Sequence, residues 1–96
     1  MFIVIRSFAD AATLEFWEHG RSRRLPASLT KAAKRKLAIL DAAARLHDLL
    51  LPPGNRLEAL RGDRAGQHSI RINDQYRVCF VWRDGDAYEV QIVDYH

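Results

Sequence analysis

Cysteine is nearly missing from this sequence. Cys79 stands alone among 96 residues, so no internal disulfide can form. Its place in an apolar stretch reads as a small buried hydrophobe, and such a chain suits a reducing compartment. Metal-ligand spacing is lacking too: His19, His47, His68 and His96 fall at no such intervals with one another or with Cys79. Neither a metal nor a cofactor is therefore expected. No apolar run approaches the ~18 residues of a membrane span. The opening Met1-Phe2-Ile3-Val4-Ile5-Arg6 has no basic region before its apolar residues and no small-residue cleavage site, which argues against a signal peptide. A cytoplasmic location without membrane contact is the expectation. Internal repeats and low-complexity segments are also missing.

Negative charge is absent from one long interval. Between Glu18 and Asp41 there is no acidic residue, while Arg21, Arg23, Arg24, Lys31, Lys34, Arg35 and Lys36 fall inside it. The net charge is only +3, so the asymmetry lies in placement. Clustered positive charge is the footprint of a polyanion binder. A solvated helix face, or a landing site for an acidic protein, explains the same run equally well.

What is present bounds the rest. At 48% hydrophobic and 28% charged residues, a chain of this length reads as a single domain, residues 1–96, with one modest core. Residues 2–5 are β-branched and aromatic and read as a buried strand. Ser7 or Asp10 can cap a short helix over 11–19, with Leu14 and Trp17 sharing its buried face and Gly20 as its stop. After a basic linker, Ser28 or Thr30 opens a longer helix to about residue 50. Ala33, Leu37, Leu40 and Ala44 form its stripe, extended by Ile39, Ala43, Leu46 and Leu50. Pro52-Pro53-Gly54 ends it.

Four short strands follow, at 56–60, 67–72, 76–82 and 87–93. Turns are expected at 62–66, at the two-residue Asn73-Asp74, and at Asp84-Gly85-Asp86. In the second strand His68, Ile70 and Ile72 take one face and Gln67, Ser69 and Arg71 the other. In the fourth, Tyr88, Val90 and Ile92 share a face. The order β-α-α-β-β-β-β gives an α+β domain, with two helices packed on a mainly antiparallel sheet and Trp17 against it.

Several residues can carry chemistry. Arg77 interrupts the most apolar strand, where a charge is costly unless it is paired, for example with Glu89 or Asp94, or faces a ligand. Arg61 closes the first strand beside Gly62, where a guanidinium can fork onto a phosphate. Glu58 offers a general base, an arginine partner or a plain surface carboxylate. Asp94, Tyr95 and His96 follow an apolar strand, and a histidine titrates near neutrality.

The segments 55–66, 69–78 and 89–96, with Arg6-Ser7-Phe8, Lys36-Leu37, residues 40–43 and Pro52-Pro53-Gly54-Asn55, resemble the HigB branch of the RelE/ParE toxin superfamily, the plasmid-maintenance killer type. The likeness covers nearly the whole chain. It implies a RelE/ParE-like fold and a type II toxin that cuts messenger RNA in the ribosomal decoding site without a metal. It also implies a HigA-like helix-turn-helix antitoxin, with operator DNA bound only through that complex. It places Arg61 and Arg77 at phosphate-contacting positions and Asp94, Tyr95 and His96 in the active site. Glu58 departs from relatives that carry histidine there, which leaves the proton acceptor open between Glu58 and His96. Arg21, Arg23, Arg24, Lys31, Lys34 and Arg35 are the candidates for docking on RNA. The alternatives from other classes are a ParE-like gyrase poison and a non-catalytic RNA- or protein-binding module.

Overall fold

The computed structural model describes residues 3–95; Phe2 of the expected first strand and His96 lie outside them. Two α-helices precede a four-stranded sheet: α1 (Ala11–His19), α2 (Thr30–Asp41), β1 (Glu58–Ala59), β2 (His68–Arg71), β3 (Tyr76–Arg83) and β4 (Asp86–Asp94). The sheet is an antiparallel meander in the order β1-β2-β3-β4.

Helix α1 begins where Asp10 accepts the Thr13 N–H at 2.8 Å, and ends where Gly20 turns left-handed at φ 77°. The capping alternatives thus resolve to Asp10. Its buried face is Thr13 and Phe16, not Leu14 and Trp17. The latter two are 39% and 38% exposed, and Trp17 packs on Phe8, which bridges to Val90 of β4, with ring centroids 6.2 Å apart. The reason lies in β4: the Thr13 hydroxyl accepts the Ile92 N–H at 3.0 Å, which turns that face of α1 inward.

Helix α2 stops at Asp41, well short of residue 50. A continued helix would pair the N–H groups of Ala44 and Arg45 with carbonyls four residues back. Asp48 takes both at 3.0 Å instead. A separate 3-10 helix, Leu46–Leu50, then buries Leu49. Ala44 and Leu50 are exposed in consequence.

The N-terminal segment does not form a full strand. It runs parallel to β4 through bridges at Ile5–Ala87 and Phe8–Val90. Asp41 holds its start by accepting the Val4 and Ile5 N–H groups, both at 3.0 Å. On β4, Glu89 adopts φ 52°, and residues 89 and 90 together face residue 80 of β3. This β-bulge reverses the alternation. Ala87, Val90 and Ile92 therefore share the core face, while Tyr88 leaves it and lies under the Arg83 guanidinium, 4.4 Å from the ring centroid.

The remaining turns follow their residues. Asp84 and Gly85 both take positive φ, 52° and 83°, the two-residue type I′ hairpin. The β2–β3 turn spans residues 72–75 rather than two, because Ile72 and Asn73 both donate to the Tyr76 carbonyl and Asn73 Oδ1 accepts from Gln75 and Tyr76. Strand β1 keeps only Glu58 and Ala59, since Arg56 sits in the left-handed region at φ 44°.

The core joins Phe16, Leu29, Ala33, Leu37 and Leu40 of the helical layer to Ile70, Ile72, Val78, Phe80, Val90 and Ile92 of one sheet face. Half-buried His68 shares that face and stacks on Phe80. Leu40 is fully buried, so Leu40→Ala should cost ~2–5 kcal/mol in denaturant titration. Thr13→Val keeps the shape but strands the Ile92 N–H, and should lower stability by about 1–3 kcal/mol with no change of fold.

Candidate functional site

The sheet face opposite the helices carries polar side chains in rows set by strand register. Glu58, Ser69, Cys79 and Gln91 form one row across β1 to β4. Arg71, Arg77 and Val93 form the next, toward the C-terminal end of β4. Arg77 is half-buried, and its Nε donates to Ser69 Oγ at 2.6 Å. Its Nη2 donates to the Arg56 carbonyl at 2.6 Å and to the Ser69 carbonyl at 3.4 Å. Neither Glu89 nor Asp94 takes these bonds. These neutral acceptors fix the orientation of the fork.

Arg71 stands directly opposite Arg77, with its guanidinium paired to exposed Asp74. It was not among the sequence candidates. A two-residue turn at 73–74 would set Arg71 opposite Tyr76; the longer turn sets it opposite Arg77 and puts both guanidinium groups in one row. Arg64 is a second addition. From the turn after β1 it reaches over the sheet, and its Nη1 donates to Gln67 Oε1 at 3.1 Å and to Gln91 Oε1 at 3.4 Å. Cys79 lies fully buried beneath. Burial pushes its thiol up, Arg64 and Arg77 oppose that, and Glu58 reinforces it. Strand register and the Arg64–Gln91 bond place Glu58, Arg64 and Arg77 around Cys79 on this face.

The C-terminal residues divide. Asp94 pairs with Tyr76 and accepts from Gln75 Nε2 at 3.1 Å; the Tyr95 N–H donates to the Gln75 carbonyl at 2.6 Å. Strand alternation places Tyr95 with Val93 on the arginine face and Asp94 with Ile92 on the helix side. His96 lies outside the described residues. Arg61 is not brought to this group. It follows Leu60, whose N–H meets the Gln67 carbonyl at the opposite end of the ladder. Arg61 and Arg77, both expected at phosphate-contacting positions, are therefore separated by the length of β2, and Arg71 occupies the place beside Arg77.

A second basic surface lies on the helical layer. Arg21, Arg23, Arg24, Lys31, Lys34 and Arg35 are all exposed. Their loop is anchored to α1, since Glu15 accepts the Arg23 N–H at 3.3 Å. The Ser22 hydroxyl and that N–H hold the Glu15 carboxyl below its usual range against a smaller opposing effect of burial. A cleft of about 920 Å³ opens there between α1 and α2, with Arg21, Arg23 and Lys34 on its walls. Lys36 departs from its basic neighbours. It is buried, and its Nζ donates to Asn55 Oδ1 at 2.6 Å.

Comparison with known proteins agrees with this geometry. A family model described as "RelE-like toxin of type II toxin-antitoxin system HigB" matches residues 6–96. The chain is 49% identical over 81 residues to Toxin HigB-1 of Vibrio cholerae serotype O1, covering 83% of this chain and 85% of that protein. It is 31% identical over 97 residues to Endoribonuclease HigB of Proteus vulgaris, covering 97% and 100%. Among solved structures, the YoeB–YefM complex from Staphylococcus aureus matches with TM-score 0.60 and 17% identity over 96% of this chain and 97% of that one. The YoeB dimer from the same organism matches with TM-score 0.60 and 18% identity over 100% and 99%. Those two likenesses concern the fold. The family match over nearly the full length and the curated relatives, together with the two-layer α+β domain and its arginine-lined sheet, establish that this chain belongs to the HigB-like family of RelE-like toxins of type II toxin–antitoxin systems.

Proposed function

We propose that this toxin is a metal-independent endoribonuclease that cuts messenger RNA on the ribosome. The observation that carries the reading is the Arg71–Arg77 row, with the Arg77 fork fixed by the Ser69 hydroxyl and the Arg56 carbonyl. The name of the Proteus vulgaris relative supports the reaction class. In the reaction the RNA 2′-oxygen attacks its own phosphorus, the P–O5′ bond breaks, and a 2′,3′-cyclic phosphate and a 5′-hydroxyl form. One proton leaves the 2′-hydroxyl and one reaches the departing oxygen. Arg71 and Arg77 offset the charge that builds on the equatorial oxygens. Tyr95 stacks on or hydrogen-bonds to a neighbouring base. His96 and Glu58 are the proton carriers, with His96 favoured because it titrates near neutrality. Asp94, fixed by Gln75, serves to hold the chain end. Arg61, at the far end of the ladder, contacts flanking phosphates rather than the reacting one.

The exposed cations of the second surface dock the protein on ribosomal RNA, which brings the message to the sheet. The partner that silences the toxin is a HigA-like helix-turn-helix antitoxin, and operator DNA is met only through it. A cytoplasmic site of action follows from this chemistry.

Purified toxin should cut naked RNA poorly and ribosome-bound message well; equal cutting of both contradicts docking. His96→Gln should lower single-turnover cleavage by ~10²–10⁴ with ribosome binding intact. A comparable loss in Glu58→Gln, with His96→Gln near wild type, would reassign the proton to Glu58. Arg77→Ala should be among the worst single changes, and Arg77→Lys should restore only part, because a point charge cannot replace a fork. Reversing Lys34 and Arg35 to Glu should weaken ribosome binding most at low salt and flatten its salt dependence, since fewer counterions are released. An unchanged salt slope would remove that surface from RNA contact.

A further inference from the structure

Arg77 does not hold itself in place. Its Nη2 leans on the carbonyl of Arg56 at 2.6 Å. That carbonyl belongs to a residue with φ 44° and ψ 56°, a backbone state unfavourable for a side chain with a Cβ and maintained only by its surroundings. The residue before it, Asn55, is fully buried. Its Nδ2 donates to the carbonyls of Leu49 and Leu51, both at 3.2 Å, and its Oδ1 accepts from Lys36 Nζ at 2.6 Å. Asn55 thus ties the 3-10 segment to itself, and Lys36 ties that segment to α2.

The partner choice is costly. Lys36 is 8% exposed, its ammonium hydrogen-bonds to a neutral carboxamide, and burial together with Arg35 and Arg71 pushes it below its ordinary value. An apolar side chain there would spare the desolvation of the ammonium but leave Asn55 Oδ1 buried without its donor. The 3-10 segment Pro53–Asn55 that Lys36 holds packs against β2, the strand that carries Arg71, the companion of Arg77.

We infer that Lys36 and Asn55 form a positioning clamp that fixes the Arg56 carbonyl and, through it, the Arg77 guanidinium. The inference rests on the reading of Arg77 as the phosphate-binding group. Neither residue touches the reacting phosphate. Their part is to hold the fork so that it meets the charge as it develops, since small misplacements of such groups cost rate rather than binding.

The test uses the full-length toxin and ribosome-bound message. Asn55→Ala risks unfolding, so Lys36→Met, which keeps the stem and removes the ammonium, is the main variant. It should stay folded with a modestly lowered melting temperature, and at a temperature where both proteins are folded it should lose ~10–100-fold in single-turnover rate, with half-saturation by ribosomes unchanged. The Arg77 Nε–H resonance, assigned by its loss in Arg77→Lys, should exchange faster with water in Lys36→Met. In an Arg77→Ala background, Lys36→Met should have no further effect on rate. An unshifted, slowly exchanging Arg77 resonance, or rate losses that multiply in the double variant, would overturn the clamp while leaving the phosphate reading intact. Arg77→Ala cleaving at the wild-type rate would overturn that reading, and the clamp's catalytic part with it.

Discussion

The open edge of β4 is the constraint on which the fold depends. A four-stranded meander leaves the outer N–H and C=O groups of its last strand without a ladder partner, and such groups must find partners or water. Here they are taken one after another by residues 4–13. Ala87 exchanges bonds with Val4 and Arg6, Val90 with Ser7 and Ala9, Glu89 donates to the Ser7 hydroxyl, and Ile92 donates to that of Thr13. This sequence of contacts fixes which face of α1 turns inward and steadies the bulge at Glu89. It also leaves Asp10 to cap α1 with one oxygen and to accept from Gln91 with the other.

The bulge has consequences on both faces. It moves Tyr88 off the core and brings Ala87 onto it, so β4 supplies small and branched residues where α1 approaches. On the opposite face it keeps Gln91 in the row of Glu58, Ser69 and Cys79, where Arg64 can bridge to it. The arginine row therefore borders a row whose middle is made of small buried groups, Ser69 and Cys79, with Glu58 at its β1 end. Within that row the Arg77 fork is oriented by a hydroxyl and carbonyls, while the Arg71 guanidinium pairs with Asp74. The exposed lysines and arginines of residues 21–35 belong to the helical layer on the other side of the sheet.

Several elements were legible from local pattern because local forces decide them. Asp10 and Gly20 bound α1 by capping and left-handed backbone; Asp84-Gly85 closes its hairpin; Leu37, Leu40, Ile70, Ile72, Val78, Phe80, Val90 and Ile92 are buried as their periodicity requires. The misreadings have a common origin in side-chain oxygens that captured backbone N–H groups. Asp48 ended α2 early, Asn73 widened the turn after β2, and Thr13 rotated α1. Each carboxylate, amide or hydroxyl was visible in the sequence, but not which backbone group lay within its reach.

The sequence by itself determined the α+β class, the identity of the core, the position of Arg77 in the central strand and the segregation of positive charge into residues 21–36, because each follows from residue type and short-range spacing. Only the tertiary structure decided that Arg71 partners Arg77, that Arg64 folds over the sheet, that Arg61 stands apart, and that Lys36 is buried on Asn55. Those facts depend on turn register and on contacts between residues far apart in the chain. A one-residue change in a turn moves a side chain to another row, and no local preference encodes that choice.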